Sequence, residues 1–184
     1  TESLPIAETV NANPLTPYAS DKFSSENYLN FYGRQTGIET VVFRFFNIFG
    51  PRQDPSSPYS GVISIFSDRA ETESKILVYG DGEQTRDFVF VADLVAILRS
   101  ALEMSEVPNG AVNVGSGTTV SLNELLALIA DLTGNNLEVE YTNPRAGDIR
   151  HSLANIERLN KYFPERSRTA FKLGLKTLLE SKKT

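Results

Sequence analysis

The sequence predicts an α/β fold in which helices alternate with strands of a parallel sheet. Two stretches carry that reading. Pro17 to Thr36 has the signals of a helix, with Thr16 as N-cap, Pro17 at the first helical position and Gly37 as a left-handed C-terminal cap. A near-continuous apolar run follows at once, Thr40-Val41-Val42-Phe43-Arg44-Phe45-Phe46. Within Glu39 to Asn47 it suits one strand buried on both faces, as in a parallel sheet. The short link between them fits layers of helix on sheet.

The remaining elements follow in chain order. Thr1 to Pro14 is polar, holds two prolines and shows no period, so it reads as a loop cut from a longer chain. Gly50-Pro51-Arg52-Gln53-Asp54-Pro55-Ser56-Ser57-Pro58 is a loop by its breakers, and such loops at strand ends are where sites sit in α/β folds. A helix is expected from Val62 to Glu73. Lys75 to Tyr79 and Thr85 to Val91 read as two short strands around Gly80-Asp81-Gly82. Asp93 stands near the start of a helix reaching Met104, and Ala111 to Val114 is a strand. Ser121-Leu122-Asn123-Glu124 is a capping box opening a helix that Gly134 ends. Leu137 to Tyr141 is a strand, Thr142 to Ser152 a loop, and helices near Asn155 to Phe163 and Arg168 to Ser181 close the chain.

Composition narrows the chemistry. Net charge is −5 with scattered basic residues, which argues against general nucleic-acid binding and leaves room for a local phosphate site. There is no cysteine, so disulfides and thiolate metal sites are excluded, and one histidine, His151, makes a histidine-based metal site a poor expectation. No apolar run reaches membrane-spanning length and no signal-peptide pattern is present.

The sharpest chemical suggestion is Tyr18 with Lys22. Four residues apart, they share one helical face. A neighbouring ammonium favours the phenolate, and a phenolate can act as a base. The same spacing also serves a half-buried ring beside a solvated lysine stem. Gly115-Ser116-Gly117, between a strand and a helix, imitates a dinucleotide fingerprint, but Val120 stands where its third glycine belongs. A tight turn before the capped helix is the preferred reading.

Five motifs stand in order: Tyr18-x-x-x-Lys22; Arg44-Phe45-Phe46-Asn47-Ile48-Phe49-Gly50-Pro51-Arg52-Gln53; Tyr79-Gly80-Asp81-Gly82-Glu83-Gln84-Thr85-Arg86-Asp87-Phe88; Asn113-Val114-Gly115-Ser116-Gly117; and Pro144-Arg145-Ala146-Gly147-Asp148-Ile149-Arg150-His151-Ser152. Together they resemble the C-terminal half of the extended short-chain dehydrogenase/reductases, and among these the UDP-sugar 4-epimerases. The resemblance covers essentially the whole chain. It implies an α/β fold holding the last part of an NAD-binding Rossmann domain plus the smaller substrate-binding domain, with the N-terminal Rossmann portion missing. Residues 1–60 would be the Rossmann part, and 61–184 mostly the nucleotide-sugar domain, with about 85–120 returning to the Rossmann side. The glycine-rich loop and the Ser/Thr upstream of Tyr18 would lie outside the chain.

The resemblance also implies roles. Tyr18 would take the proton from the sugar 4-hydroxyl while hydride passes to NAD, and Lys22 would favour the phenolate and hold the nicotinamide ribose. Phe45 and Phe46 match positions at the nicotinamide end; packing of a buried strand explains them equally. Asn47 matches a sugar-nucleotide contact, or else serves the turn before Gly50. Arg86 and Arg145 match the arginines that grip the diphosphate, a task their planar donor forks suit. Asp148 matches the acceptor for the uridine ribose, or is a turn Asp after Gly147. Gly61, Val62 and Phe66 match the lining of the sugar and base pocket. Val78 and Tyr79 would lie alongside the uracil. Ser152 stands where a small residue leaves room for a 2-acetamido group, and His151 is expected to be structural.

The implied partner is therefore a UDP-sugar, with no nucleic acid, no membrane and a cytoplasmic setting. A homodimer through the 17–36 helix is implied, with self-association over the truncated face as a further expectation. A 4,6-dehydratase or decarboxylase on the same scaffold, and a binding module that does no chemistry, are the alternatives. The isolated chain is expected to be inactive, its main NAD-binding motif being absent.

Overall fold

The structure, a computed structural model, describes residues 3–57, 60–145 and 147–182. Helix α1 (Pro17–Thr36) has the expected bounds. Thr16 Oγ1 accepts the Ala19 amide at 3.1 Å, and Gly37 closes the helix with φ 73°, where a Cβ would be strained. None of its residues is buried.

The apolar run does not form one strand. It gives β1 (Phe43–Phe45) and β2 (Asn47–Phe49), and the chain changes partners at Phe46. β1 runs parallel to β6 (Val112–Val114), whereas β2 runs parallel to β5 (Phe88–Phe90). The Phe46 amide still bonds Val114 O, and the next amide, Asn47, bonds Asp87 O, both at 3.0 Å. Asn47 thus sits where the two ladders part. The expected burial on both faces is also corrected: β1 is only partly covered and Phe45 is 49% exposed. Among the described residues β1 has a ladder partner on one edge alone.

The strands that flank Gly80 to Gly82 take separate partners. β3 (Ile76–Tyr79) runs parallel to β8 (Val139–Thr142), and β4 (Thr85–Arg86) runs antiparallel to β7 (Val120–Ser121), a strand the sequence reading did not foresee. The expected strand from Thr85 to Val91 breaks at Asp87, whose side chain is turned wholly inward.

The helices follow the apolar periods. They are α2 (Val62–Glu71), α3 (Val91–Leu102), α4 (Leu122–Thr133), α5 (Glu157–Tyr162) and α6 (Phe171–Ser181). The capping box of α4 is present in both directions: the Glu124 amide donates to Ser121 Oγ at 3.1 Å, and the Ser121 amide to Glu124 Oε2 at 2.7 Å. α5 is shorter than expected at both ends, and α6 starts later than expected because Pro164 to Ala170 is loop. Among the described residues no helix is long and apolar enough to cross a membrane.

Two cores result. One gathers Phe49, Ile63, Phe66, Ile76, Val78, Leu125, Ile129, Leu175 and Leu178 between α2, α4, α6 and β3. The other gathers Val89, Leu94, Ile97, Val112, Val114, Leu159 and Phe163 between α3, α5 and β6. β5 belongs to both. Alternate strand residues point to opposite faces, so Phe88 and Phe90 enter the first core and Val89 the second.

Candidate active site

The helix spacing delivers the Tyr18–Lys22 pair. Lys22 Nζ stands 5.3 Å from the centroid of the Tyr18 ring. The helix is fixed over β1 by Arg44, whose Nε and Nη2 grip Glu26 at 2.9 and 2.8 Å, while Nη1 donates to Glu8 O at 2.9 Å. Both side chains of that ion pair are largely covered, which makes its fork geometry count for more than an exposed pair would. It sets Tyr18, Lys22 and Phe45 along one cavity of about 540 Å³.

Tyr18 and Phe45 also line a second cavity of about 330 Å³, with Phe46, Asn47, Gln53 and Gly61. Asn47 in turn lines a third, of about 420 Å³, with Val62, Phe66, Leu77, Tyr79, Gln84, Arg86, Arg145 and Asp148. The three cavities therefore form a run from the phenol to the two arginines, and Asn47 is its joint.

At the far end Arg86 Nη2 pairs with Asp148 Oδ1 at 2.8 Å, and its Nη1 donates to Thr85 O at 2.9 Å. The Arg145 guanidinium lies 3.8 Å from the Tyr79 ring centroid. The segment carrying these groups is held to β4: the Thr85 amide bonds Arg150 O at 3.0 Å, and the Ser152 amide bonds Thr85 O at 3.1 Å. His151 Nδ1 stands 3.0 Å from Thr85 Oγ1, on an exposed ring. Arg150 forks onto Asp81 at 2.6 and 2.8 Å, and those hydrogen bonds hold the Asp81 carboxyl well below the usual carboxylate range.

The glycine pair at Gly115 and Gly117 is not open to a phosphate. Asp87 accepts the Ser116 amide at 2.6 Å, the Gly117 amide at 3.1 Å, Ser116 Oγ at 2.8 Å and the Ala154 amide at 3.1 Å. A Cβ on Gly115 would stand 2.7 Å from Asp87 Oδ2. These glycines serve an internal carboxylate, as the tight-turn reading required. For a nicotinamide cofactor, the residues present fit one end only: a cavity with a phenol, an ammonium and the Phe45 ring.

The NAD dependent epimerase/dehydratase family matches residues 1–115. The chain belongs to that family. It is 39% identical over 155 residues to a putative UDP-glucose 4-epimerase of Methanocaldococcus jannaschii, covering 84% of this chain and 50% of that protein. Its fold superposes on a UDP-N-acetylglucosamine 4-epimerase of Methanobrevibacter ruminantium, solved with UDP-N-acetylmuramic acid, with TM-score 0.92 and 35% identity over 99% of this chain and 58% of that one. A Thermus thermophilus UDP-glucose 4-epimerase solved with NAD gives TM-score 0.88 and 31% identity, covering 100% of this chain and 59% of that one. The chain thus spans about half the length of the curated relatives it matches.

Within this epimerase/dehydratase fold the expected site residues mostly converge. Asn47, Val62, Phe66, Tyr79, Arg86, Arg145 and Asp148 share one cavity, and Tyr18, Phe45, Phe46, Asn47 and Gly61 the next. Val78 does not join them. It is 1% exposed and packed in the first core, because the pleat of β3 sends Val78 inward and Leu77 and Tyr79 toward the pocket. Ser152 is half-buried and lines none of the three cavities. Two glutamines were missed. Gln84 is 5% exposed, donates to Tyr79 O at 2.6 Å and keeps Oε1 buried at the pocket with no hydrogen-bond partner among the described residues. Gln53 likewise keeps a buried Oε1 beside Gly61 and Asn47 that has no hydrogen-bond partner among the described residues. Both lie inside the quoted motifs, but an uncharged amide gives no periodic or electrostatic signal by which to single it out.

Proposed function

We propose that this chain is the part of an NAD-dependent nucleotide-sugar epimerase that carries the catalytic tyrosine and the UDP-sugar pocket, inverting C4 of a UDP-hexose or UDP-N-acetylhexosamine. The observation that carries the reading is the run of cavities jointed at Asn47, with an arginine pair at one end and Tyr18–Lys22 at the other. A diphosphate at the arginines would lay the sugar toward the phenol.

NAD, when bound, supplies the acceptor and donor for the hydride at C4. Tyr18 as phenolate takes the proton of the sugar 4-hydroxyl and later returns it. Lys22, beside Tyr18 on the same helical face, would hold the cofactor ribose through its ammonium; Phe45 and Phe46 would flank the nicotinamide end. Arg86 and Arg145 bind the diphosphate, Tyr79 with Leu77 flanks the uracil, and Asn47 contacts the substrate between them. Gly61, Val62 and Phe66 line the sugar and base pocket. Asp148 accepts from the ribose and holds Arg86 in place. Room for a 2-acetamido group rests on Gly61, which lines the cavity beside Tyr18, since Ser152 lies outside the three cavities. The domain reading is proposed likewise: residues 1–60 and about 85–120 on the Rossmann side, the remainder on the substrate side, with β5 shared between the two cores.

Calorimetric titration tests this directly. UDP-glucose and UDP-N-acetylglucosamine are expected to bind the 184-residue chain without being interconverted in the presence of NAD. Arg86→Ala and Arg145→Ala are each expected to weaken binding by about 10–100-fold, the loss of one charge-assisted contact. Unchanged affinity in both variants would overturn the pocket assignment.

We also propose that α1 joins two copies of the chain. Tyr28, Leu29, Phe31 and Tyr32 are 46–65% exposed, a large apolar surface for one helix. Sedimentation equilibrium is expected to give a dimer that Leu29→Glu with Phe31→Glu converts to monomer. A wild-type chain that stays monomeric at high concentration argues against it.

A further inference from the structure

A cavity of about 170 Å³ opens on another part of the chain, between the loop after α5 and the start of α6, lined in part by Ser116, Arg166, Ser167, Arg168, Thr169 and Phe171. Its two arginines are arranged unusually. Arg166 Nη2 donates to Asn160 Oδ1 at 2.6 Å, and Arg168 Nη2 donates to the same oxygen at 3.3 Å. Arg166 Nη1 donates to Phe163 O at 2.9 Å. Among the described residues neither guanidinium has a carboxylate within 4.0 Å. The one acid on the cavity wall, Asp93, is already committed: its two oxygens accept the Thr169 amide at 2.7 Å and Thr169 Oγ1 at 2.8 Å.

Two guanidinium charges thus meet at one neutral oxygen, and the other acceptor of Arg166, Phe163 O, is neutral too. Burial, then the Arg168 charge beside it, push the Arg166 pKa below its ordinary value, and the nearby Asp93 carboxylate offsets this only in part. α6 also begins at this cavity with Ala170 as N-cap and no side-chain cap, so its positive end adds to the field. Planar guanidinium forks suit the oxygens of a phosphate group.

We propose that this cavity is a second anion site, taking the phosphate group of a small phosphorylated metabolite between Arg166 and Arg168, apart from the pocket of Arg86 and Arg145. Its wall reaches the candidate active site within one strand pair. Phe88 and Phe90 of β5 line it, β5 pairs with β2, and Asn47 opens β2. Ser116, also on the wall, is tied to Asp87, whose carbonyl holds the Asn47 amide. An anion here is placed to influence Asn47.

The probe is inorganic phosphate, exchanged for chloride at constant ionic strength, with the thermal unfolding midpoint as readout. The background is the Arg86→Ala/Arg145→Ala chain, so that the nucleotide pocket does not respond. A saturable rise in midpoint is expected, with amide shifts in an NMR titration confined to residues 166–172 and 116. Adding Arg168→Ala, an exposed residue with one long hydrogen bond, is expected to abolish the rise without lowering the midpoint in chloride. Acetate is expected to give a weaker response than phosphate. A linear, unsaturable rise that Arg168→Ala leaves unchanged, or a response seen in the wild type and lost in the Arg86→Ala/Arg145→Ala background, would overturn the proposal. Should Arg168→Ala unfold the chain, Arg168→Gln with the NMR titration decides in its place.

Discussion

On the proposed function, Tyr18→Phe is expected to lower turnover by about 10²–10⁴-fold, the range of a lost general base. The ring stays, so the face that lines both cavities with Phe45 is kept, and the hydroxyl proposed as proton acceptor is removed. UDP-sugar affinity is expected to change little, because the arginine pair lies beyond Asn47. The measurement is kcat for epimerisation beside a calorimetric titration of the same variant. A variant that keeps turnover would remove Tyr18 from the chemistry. A variant that loses affinity and turnover together would make it a binding residue.

Asp87→Ala is expected to cost about 3–5 kcal/mol of stability. Asp87 is wholly buried and accepts three backbone amides, from Ser116, Gly117 and Ala154. Truncation leaves these donors without an acceptor, at about 1–3 kcal/mol each, less what water entering the vacated space restores. Against a total stability of about 5–15 kcal/mol this is a large fraction. Asp87→Asn keeps one acceptor oxygen and is expected to lose less. Urea unfolding at constant m-value measures both. A loss below about 1 kcal/mol for the alanine variant would mean that the three segments are held by their packing alone.

These two residues differ in how far the sequence discloses them. Tyr18 and Lys22 could be read directly, because a helix of known bounds fixes their relative placement by spacing alone. Asp87 could be seen only as a polar residue interrupting an apolar run. Its partners come from residues 29 to 67 positions away, and no local pattern carries that information. Arg86 and Arg145 stand between these cases: their motifs were visible, but the ion pair with Asp148 and the stack on Tyr79 were not. The inward turn of the Val78 side chain was not visible either, since one residue along a strand is enough to send a side chain to the opposite face.

By itself the sequence determined the α/β class, the bounds of α1, the capping box of α4, the Tyr18–Lys22 pair and the family. Each rests on periodicity, capping chemistry or a short motif, and these act over a few residues. The tertiary structure decided that the run through Phe46 divides between two ladders, that β3 and β4 take separate partners, that Asp87 closes the glycine turn, and that Asn47 joins the phenol to the arginines. Strand pairing and side-chain convergence depend on which distant surfaces can be buried together, and that choice is made by the whole chain at once.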